Sequence, residues 1–298
     1  MTTVLERDRV RPPSPAVRAT PPRSRAPAPP GRVPGWWLPR GAATRDLARW
    51  LLPALTLLVA LGAWEWAVRA NGVPPYVLPA PSLVARTFVE DAGILLPALG
   101  TTAWITALAF ATAALGGIAL GVAMAASQLV SMSLYPFAVA MQVTPVVAVA
   151  PIIFIYASKT VGLVLCAWLV AFFPVLSGTV QGLRSVDPGL RDLFTVHRAT
   201  WWQRLVLLRA PSALPSVLGG LRVSGGLALI GAVVAELVAG TGGVGSGLAW
   251  RILEAGYRLD VARMFAALVL IAALGVAIHA SLSVATRRLL RDWHESES

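Results

Sequence analysis

The chain has 298 residues, of which 56% are hydrophobic and only 13% charged; its net charge is +11 and its mean hydropathy +0.70. A soluble domain carries about 25% charged residues, so this composition excludes a water-soluble globular fold. It predicts an all-α, polytopic membrane helix bundle, because hydrocarbon offers backbone groups no solvent partner and each span takes about 20 mostly apolar residues.

Residues 1–49 come first, a block with ten prolines and ten arginines and almost no core-forming side chains. Such a mixture buries too little apolar surface to offset its ordering entropy, which predicts a disordered tail. Its charge suits an anionic inner leaflet or a role in topology better than nucleic acid. A transmembrane domain over 50–291 and a short tail, 292–298, follow.

About six apolar runs read as spans: 50–68, 101–126, 134–157, 161–180, 223–239 and 264–285. Pro136, Pro145 and Pro151 interrupt the third, and each removes a backbone donor. A proline-broken segment at such depth is tolerated where protein or a hydrated cavity satisfies the freed carbonyls, so this span is expected to face a pathway. Gly117 and Gly121 in the second span have the small-residue spacing that lets helices approach closely.

With the N-terminus inside, 19 of the 25 Lys and Arg residues fall on the cytoplasmic side and 6 on the other. Short cytoplasmic loops retain such residues. Both termini and the segment 185–215 are therefore expected in the cytoplasm.

Catalytic chemistry finds no support. Lys159 follows Ser158, so no phosphate-binding Gly-Lys-Ser/Thr loop exists. Gly240, Gly242 and Gly245 match a dinucleotide fingerprint in letters only, since no βαβ unit surrounds them; they read as a turned loop. His197, His279 and His294 are dispersed and Cys166 is alone, so no metal, cofactor or nucleophile is expected. Two acidic residues lie within the spans. Glu65 has Arg69 one turn on as a partner, while Glu236 reads either as lining a pathway or as holding a structural hydrogen bond. Gln142 and Thr144, polar groups beside Pro145, join Glu236 as candidates for a translocation pathway.

The segment 185–215, "SVDPGLRDLFTVHRATWWQRLVLLRAPSALP", is charged where its surroundings are apolar. Asp187 before Pro188 is an N-cap signal, and the helix it starts runs through "GLRDLFTV". Thr200 opens a second helix, "WWQRLVLLRA", which Pro211 and Pro215 are expected to stop and redirect. Two short amphipathic helices make either a knob for a partner's groove or a pair lying in the membrane interface with tryptophans in the aromatic belt.

The same stretch resembles the "EAA" loop of the permease subunits of ATP-binding-cassette importers, whose pattern is E-A-A, three residues, G, nine residues, I, one residue, L-P. Registered on Pro211, Asp192 takes the acidic position, Leu193 and Phe194 the alanines, Arg198 the glycine, Leu208 the isoleucine and Ala210 the leucine. Arg198 in place of glycine is expected to change the bend between the helices. "VLPAPSLV", "VTPVVAVAPIIFIY" and "ALPSVLGGLRVSGGLALIGAVVAELVAGTGGVG" are similar, in that order, to permeases of the nitrate, sulfonate and taurine importer group.

The resemblance implies a type I importer permease fold in the cell membrane. Its partners would be cytoplasmic ATPase subunits, an external solute-binding protein and, most simply, a second copy of this chain. Asp192, Arg198, Trp201, Trp202, Leu208 and Pro211 would then form the ATPase-coupling surface. A secondary transporter and a non-transporting membrane scaffold are the alternatives; the first needs ion-coupling groups and repeat symmetry that are not evident here.

Overall fold

The computed structural model describes residues 42–240 and 245–290, with side chains from residue 51 onward. The expectations for residues 1–41, Gly242, His294 and the tail 292–298 lie outside the described residues.

All described elements are helices. In chain order they are α1 (Ala42–Ala70), α2 (Pro81–Glu90), α3 (Ala92–Ala126), α4 (Gln128–Val143), α5 (Val146–Tyr156), α6 (Lys159–Arg184), α7 (Pro188–Val196), α8 (Trp201–Arg204), a π-helical turn (Leu205–Arg209), α9 (Ala210–Ala239), α10 (Leu248–Tyr257) and α11 (Val261–Leu289). Five continuous helices among the described residues are long and apolar enough to cross a membrane: Leu51–Ala70, Ala92–Ala126, Lys159–Arg184, Trp201–Ala239 and Val261–Leu289.

The third span is interrupted, as its prolines suggest: α4 and α5 meet at 102°, broken at Thr144 and Pro145. Pro145 cannot donate a backbone hydrogen bond, and Thr144 closes α4 by directing both its N–H (3.2 Å) and its hydroxyl (2.7 Å) to the Ala140 carbonyl. One expectation needs correction: Pro211 and Pro215 do not stop the helix that Thr200 opens. It continues through the π turn into α9, a 39-residue rod. The π turn explains the passage, because the Ala210 N–H reaches back five residues to Leu205 just before the first proline. The rod is about 58 Å long at 1.5 Å per residue, longer than roughly 30 Å of hydrocarbon, and its α8 end carries the polar side chains Gln203, Arg204 and Arg209.

Small residues let the central helices touch. In α6 and α9, which run antiparallel, a Cβ on Gly178 would lie 2.8 Å from the Ser216 carbonyl oxygen and one on Gly220 would lie 2.5 Å from that of Pro174. Ser224 donates to the Ala171 carbonyl across the same contact at 2.7 Å. Gly117 and Gly121 of α3 meet Val175 and Thr179 of α6, so the packing role read from their spacing is realised. At one end of the bundle, α2 and α10 are short helices that no long apolar run announces. Glu65 holds the first turn of α2 by accepting from the Ser82 N–H (3.0 Å) and hydroxyl (2.8 Å), besides pairing with Arg69.

Candidate functional site

The elbow 185–215 is built by capping. Asp187 Oδ1 accepts from the N–H groups of Gly189 (2.7 Å) and Leu190 (3.2 Å), opening α7. At the other end the Ala199 N–H bonds Phe194 and the Arg198 N–H bonds Thr195, both at 3.0 Å, which is the Schellman arrangement. That motif needs a left-handed residue, normally glycine, and Arg198 supplies it with φ +52°. Arginine here adopts the left-handed backbone conformation that glycine takes in this motif, at a strain of about 1–2 kcal/mol. Thr200 and Gln203 then form a reciprocal capping box that starts α8.

These caps spread the candidate residues over two surfaces. Asp192, Arg198, Trp201 and Trp202 are exposed, with the indole rings edge to face at 4.6 Å. Leu190, Leu193, Val196 and Val206 are exposed beside them, giving a ridge that is apolar as well as charged. Leu208 is instead buried and Pro211 half-buried, at the root of the elbow. Arg209 fastens that root by donating to the Ala125 carbonyl at the C-terminus of α3 (3.3 Å), a favourable place for a cation.

Gln142 and Thr144 line a cavity of about 380 Å³ together with Val147, Val170, Pro174 and Ile230. Four helices contribute: α4, α5, α6 and α9. The α4–α5 break therefore opens on a cavity, the situation in which irregular backbone is tolerated at membrane depth. The proline in α6 adds to this, because Pro174 frees the Val170 carbonyl and both residues belong to the lining.

Glu236 is not among those lining residues. It is buried, 4% exposed, and its carboxylate accepts from the Thr102 hydroxyl of α3 (2.8 Å) and from the Ala249 N–H at the start of α10 (3.0 Å). Thr102 in turn accepts from the Leu248 N–H (2.9 Å). Gly247 packs so closely on the carboxylate that no Cβ fits there. Of the two roles left open for Glu236, this geometry is that of a hydrogen-bonded knot joining α3, α9 and α10. Its partners lie 134 and 13 residues away in the chain, so no spacing rule could have found them. Asp91 and Arg263, joined at 2.6 and 3.1 Å where α2 and α3 meet α11, were missed for the same reason. No group of three or more His, Cys, Asp or Glu side chains able to hold a metal occurs among the described residues.

Comparison with known proteins bears on the whole assembly. Residues 117–291 match the family described as binding-protein-dependent transport system inner membrane component. The chain is 35% identical over 267 residues to the riboflavin transport system permease protein RibX of Chloroflexus aurantiacus, covering 85% of this chain and 95% of that protein. It is 31% identical over 249 residues to the formylaminopyrimidine transport permease protein ThiX of Halalkalibacterium halodurans (83% and 97% covered). To the taurine transport system permease protein TauC of Escherichia coli it is 29% identical over 247 residues (80% and 88% covered). The chain belongs to this family of inner membrane components: it is a multi-pass membrane permease subunit of an ABC importer, in which a separate subunit hydrolyses ATP.

Proposed function

We propose that this permease carries a small organic or inorganic anion of the sulfonate, taurine or nitrate kind through the Gln142–Thr144 cavity, driven by ATPase subunits gripping the elbow 185–215. Two copies of the chain form the path, and the elbow and both termini lie in the cytoplasm, as the 19 to 6 division of Lys and Arg supports. Asp192, Arg198, Trp201 and Trp202 are the gripping surface, while Leu208 and Pro211 anchor it to α9. Selection among solutes rests largely with the external binding protein, consistent with relatives named for cargoes as unlike as riboflavin and taurine.

The observation that carries this reading is the continuity of the elbow with the path. Trp201–Ala239 is one helix, and its far half supplies Ile230 and Val234 to the cavity. A push on Trp201 is therefore delivered along a stiff rod to the α4–α5 break. A partner shifts two states only through contacts that differ between them, and the exposed ridge offers such contacts to a moving ATPase.

Co-purification with the cognate ATPase tests the grip. Leu193→Asp and Trp202→Asp are expected to abolish recovery of the ATPase while leaving the permease monodisperse, and Arg198→Gly, which keeps the left-handed turn but removes the side chain, to reduce it. Undiminished recovery in both aspartate variants overturns the assignment. Alkylation of Gln142→Cys and Thr144→Cys in a Cys166→Ala background tests the path; both are expected to react and to be shielded by transported solute.

A further inference from the structure

A second cavity, of about 500 Å³, lies between α4 and α6 nearer the elbow. Its polar lining is Ser131, Tyr135, Ser177, Gln181 and Arg184, and the remaining lining residues are apolar. No Asp or Glu belongs to it. Asp187, the nearest acidic residue in sequence, is occupied in capping α7.

Arg184 does not extend away from the bundle. Its Nη2 donates across to the Ser131 hydroxyl of α4 at 2.8 Å, which fixes the guanidinium over the cavity. No carboxylate lies within 4.0 Å of it among the described residues. Four of its five N–H donors therefore remain available, and Tyr135, Ser177 and Gln181 add donors that no described residue satisfies. A planar guanidinium fork with neighbouring hydroxyl and amide donors matches the oxygens of a carboxylate, sulfonate or nitrate. Arg184 and Gln181 are exposed, so the guanidinium is open to a solute that reaches the cavity.

The position also matters. Along α6, Val170, Pro174, Ser177, Gln181 and Arg184 recur at intervals of four, three, four and three, so they form one stripe. The first two line the Gln142–Thr144 cavity and the last three this one. From Val170 to Arg184 the stripe covers about 21 Å, so a solute leaving the first cavity towards the elbow meets the second next.

We infer that the Arg184–Ser131–Ser177–Gln181 cavity is a binding subsite for a small oxyanion at the elbow end of the path. This rests on the path assigned above. The subsite holds the anion after it has passed the α4–α5 break and sets a preference for negatively charged cargo that does not depend on the external binding protein.

The test uses the permease with its ATPase in lipid nanodiscs, in the Cys166→Ala background, with methanesulfonate as probe and chloride at equal ionic strength as control. Iodoacetamide is expected to alkylate Ser177→Cys severalfold more slowly in methanesulfonate than in chloride. Arg184→Gln is expected to remove that protection and Arg184→Lys to keep part of it, each variant eluting as the parent does. Equal rates in the two salts, or protection that survives Arg184→Gln, overturns the subsite. Thr144→Cys separates the two levels of the argument. If it reacts while methanesulfonate fails to protect Ser177→Cys, the subsite alone falls; if neither cysteine reacts, the path reading falls and the subsite with it.

Discussion

Glu236 allows a quantitative test of whether a membrane carboxylate serves structure or transport. Glu236→Ala leaves the Ala249 N–H and the Thr102 hydroxyl without an acceptor in a site that is only 4% exposed. Each unsatisfied buried group costs about 1–3 kcal/mol, so the variant should lose roughly 3–5 kcal/mol once the emptied volume is included. Glu236→Gln has a different outcome. Its amide oxygen can accept from Ala249 and its NH2 can donate to Thr102 Oγ1, so the loss should be about 1 kcal/mol. At about 2–4 °C per kcal/mol for a chain of this size, the alanine variant should melt on the order of 10 °C lower than the parent and the glutamine variant only a few degrees lower. Heated, detergent-solubilised permease run on size exclusion gives the apparent midpoints, and vesicle uptake gives activity. The expected pattern is that Glu236→Gln transports and Glu236→Ala is unstable. A Glu236→Ala variant that melts with the parent yet transports nothing would refute the knot and return the residue to the pathway.

Two further substitutions probe the packing that holds the path in shape. Gly220→Ala would put a methyl 2.5 Å from the Pro174 carbonyl oxygen, a backbone atom that cannot rotate away, so α6 and α9 must part. Overpacking of this kind costs about 1–3 kcal/mol, and uptake should fall with the melting midpoint, whereas Gly219→Ala, with nothing within 4 Å of its added Cβ, should match the parent in both assays. Asp91→Ala should cost about 2–3 kcal/mol, less than the 3–5 usual for breaking a buried pair, because Asp260 lies 3.4 Å from Arg263 and remains as a partner. Since both side chains of the Asp91–Arg263 pair are under 20% exposed, its melting difference should persist at high salt.

What could be read from the sequence was whatever depends on neighbours in the chain. Asp187 and Thr200 cap the helices they were expected to cap because an N-cap acts on donors two or three residues away. The apolar runs became spans because length and composition decide that question. The knot at Glu236, the Arg184–Ser131 bond and the Asp91–Arg263 pair join residues 134, 53 and 172 positions apart. No local pattern encodes which helix will face which. Arg198 shows the reverse limit: the letter differs from the glycine of the motif, yet the Schellman bonds on either side hold it left-handed.

Proline was the least legible residue, because its effect depends on what happens to the carbonyl it frees. Pro97, Pro136, Pro174 and Pro215 all sit inside helices that continue past them, and at Pro211 a π turn lets the rod run on from the elbow. At Pro145 the chain turns by 102°. The difference is local and lateral together: Thr144 adds its own hydroxyl to the Ala140 carbonyl in the last turn of α4, and Met141, whose carbonyl Pro145 frees, lines the adjoining cavity, which spares the turn from facing lipid. On this account Thr144 matters because it closes a helix at the path as well as because it is polar. Thr144→Ser should therefore keep both the bend and the transport, Thr144→Val should lose the hydroxyl bond at equal volume and slow uptake, and equal uptake in the two variants would show that the break needs no such closure.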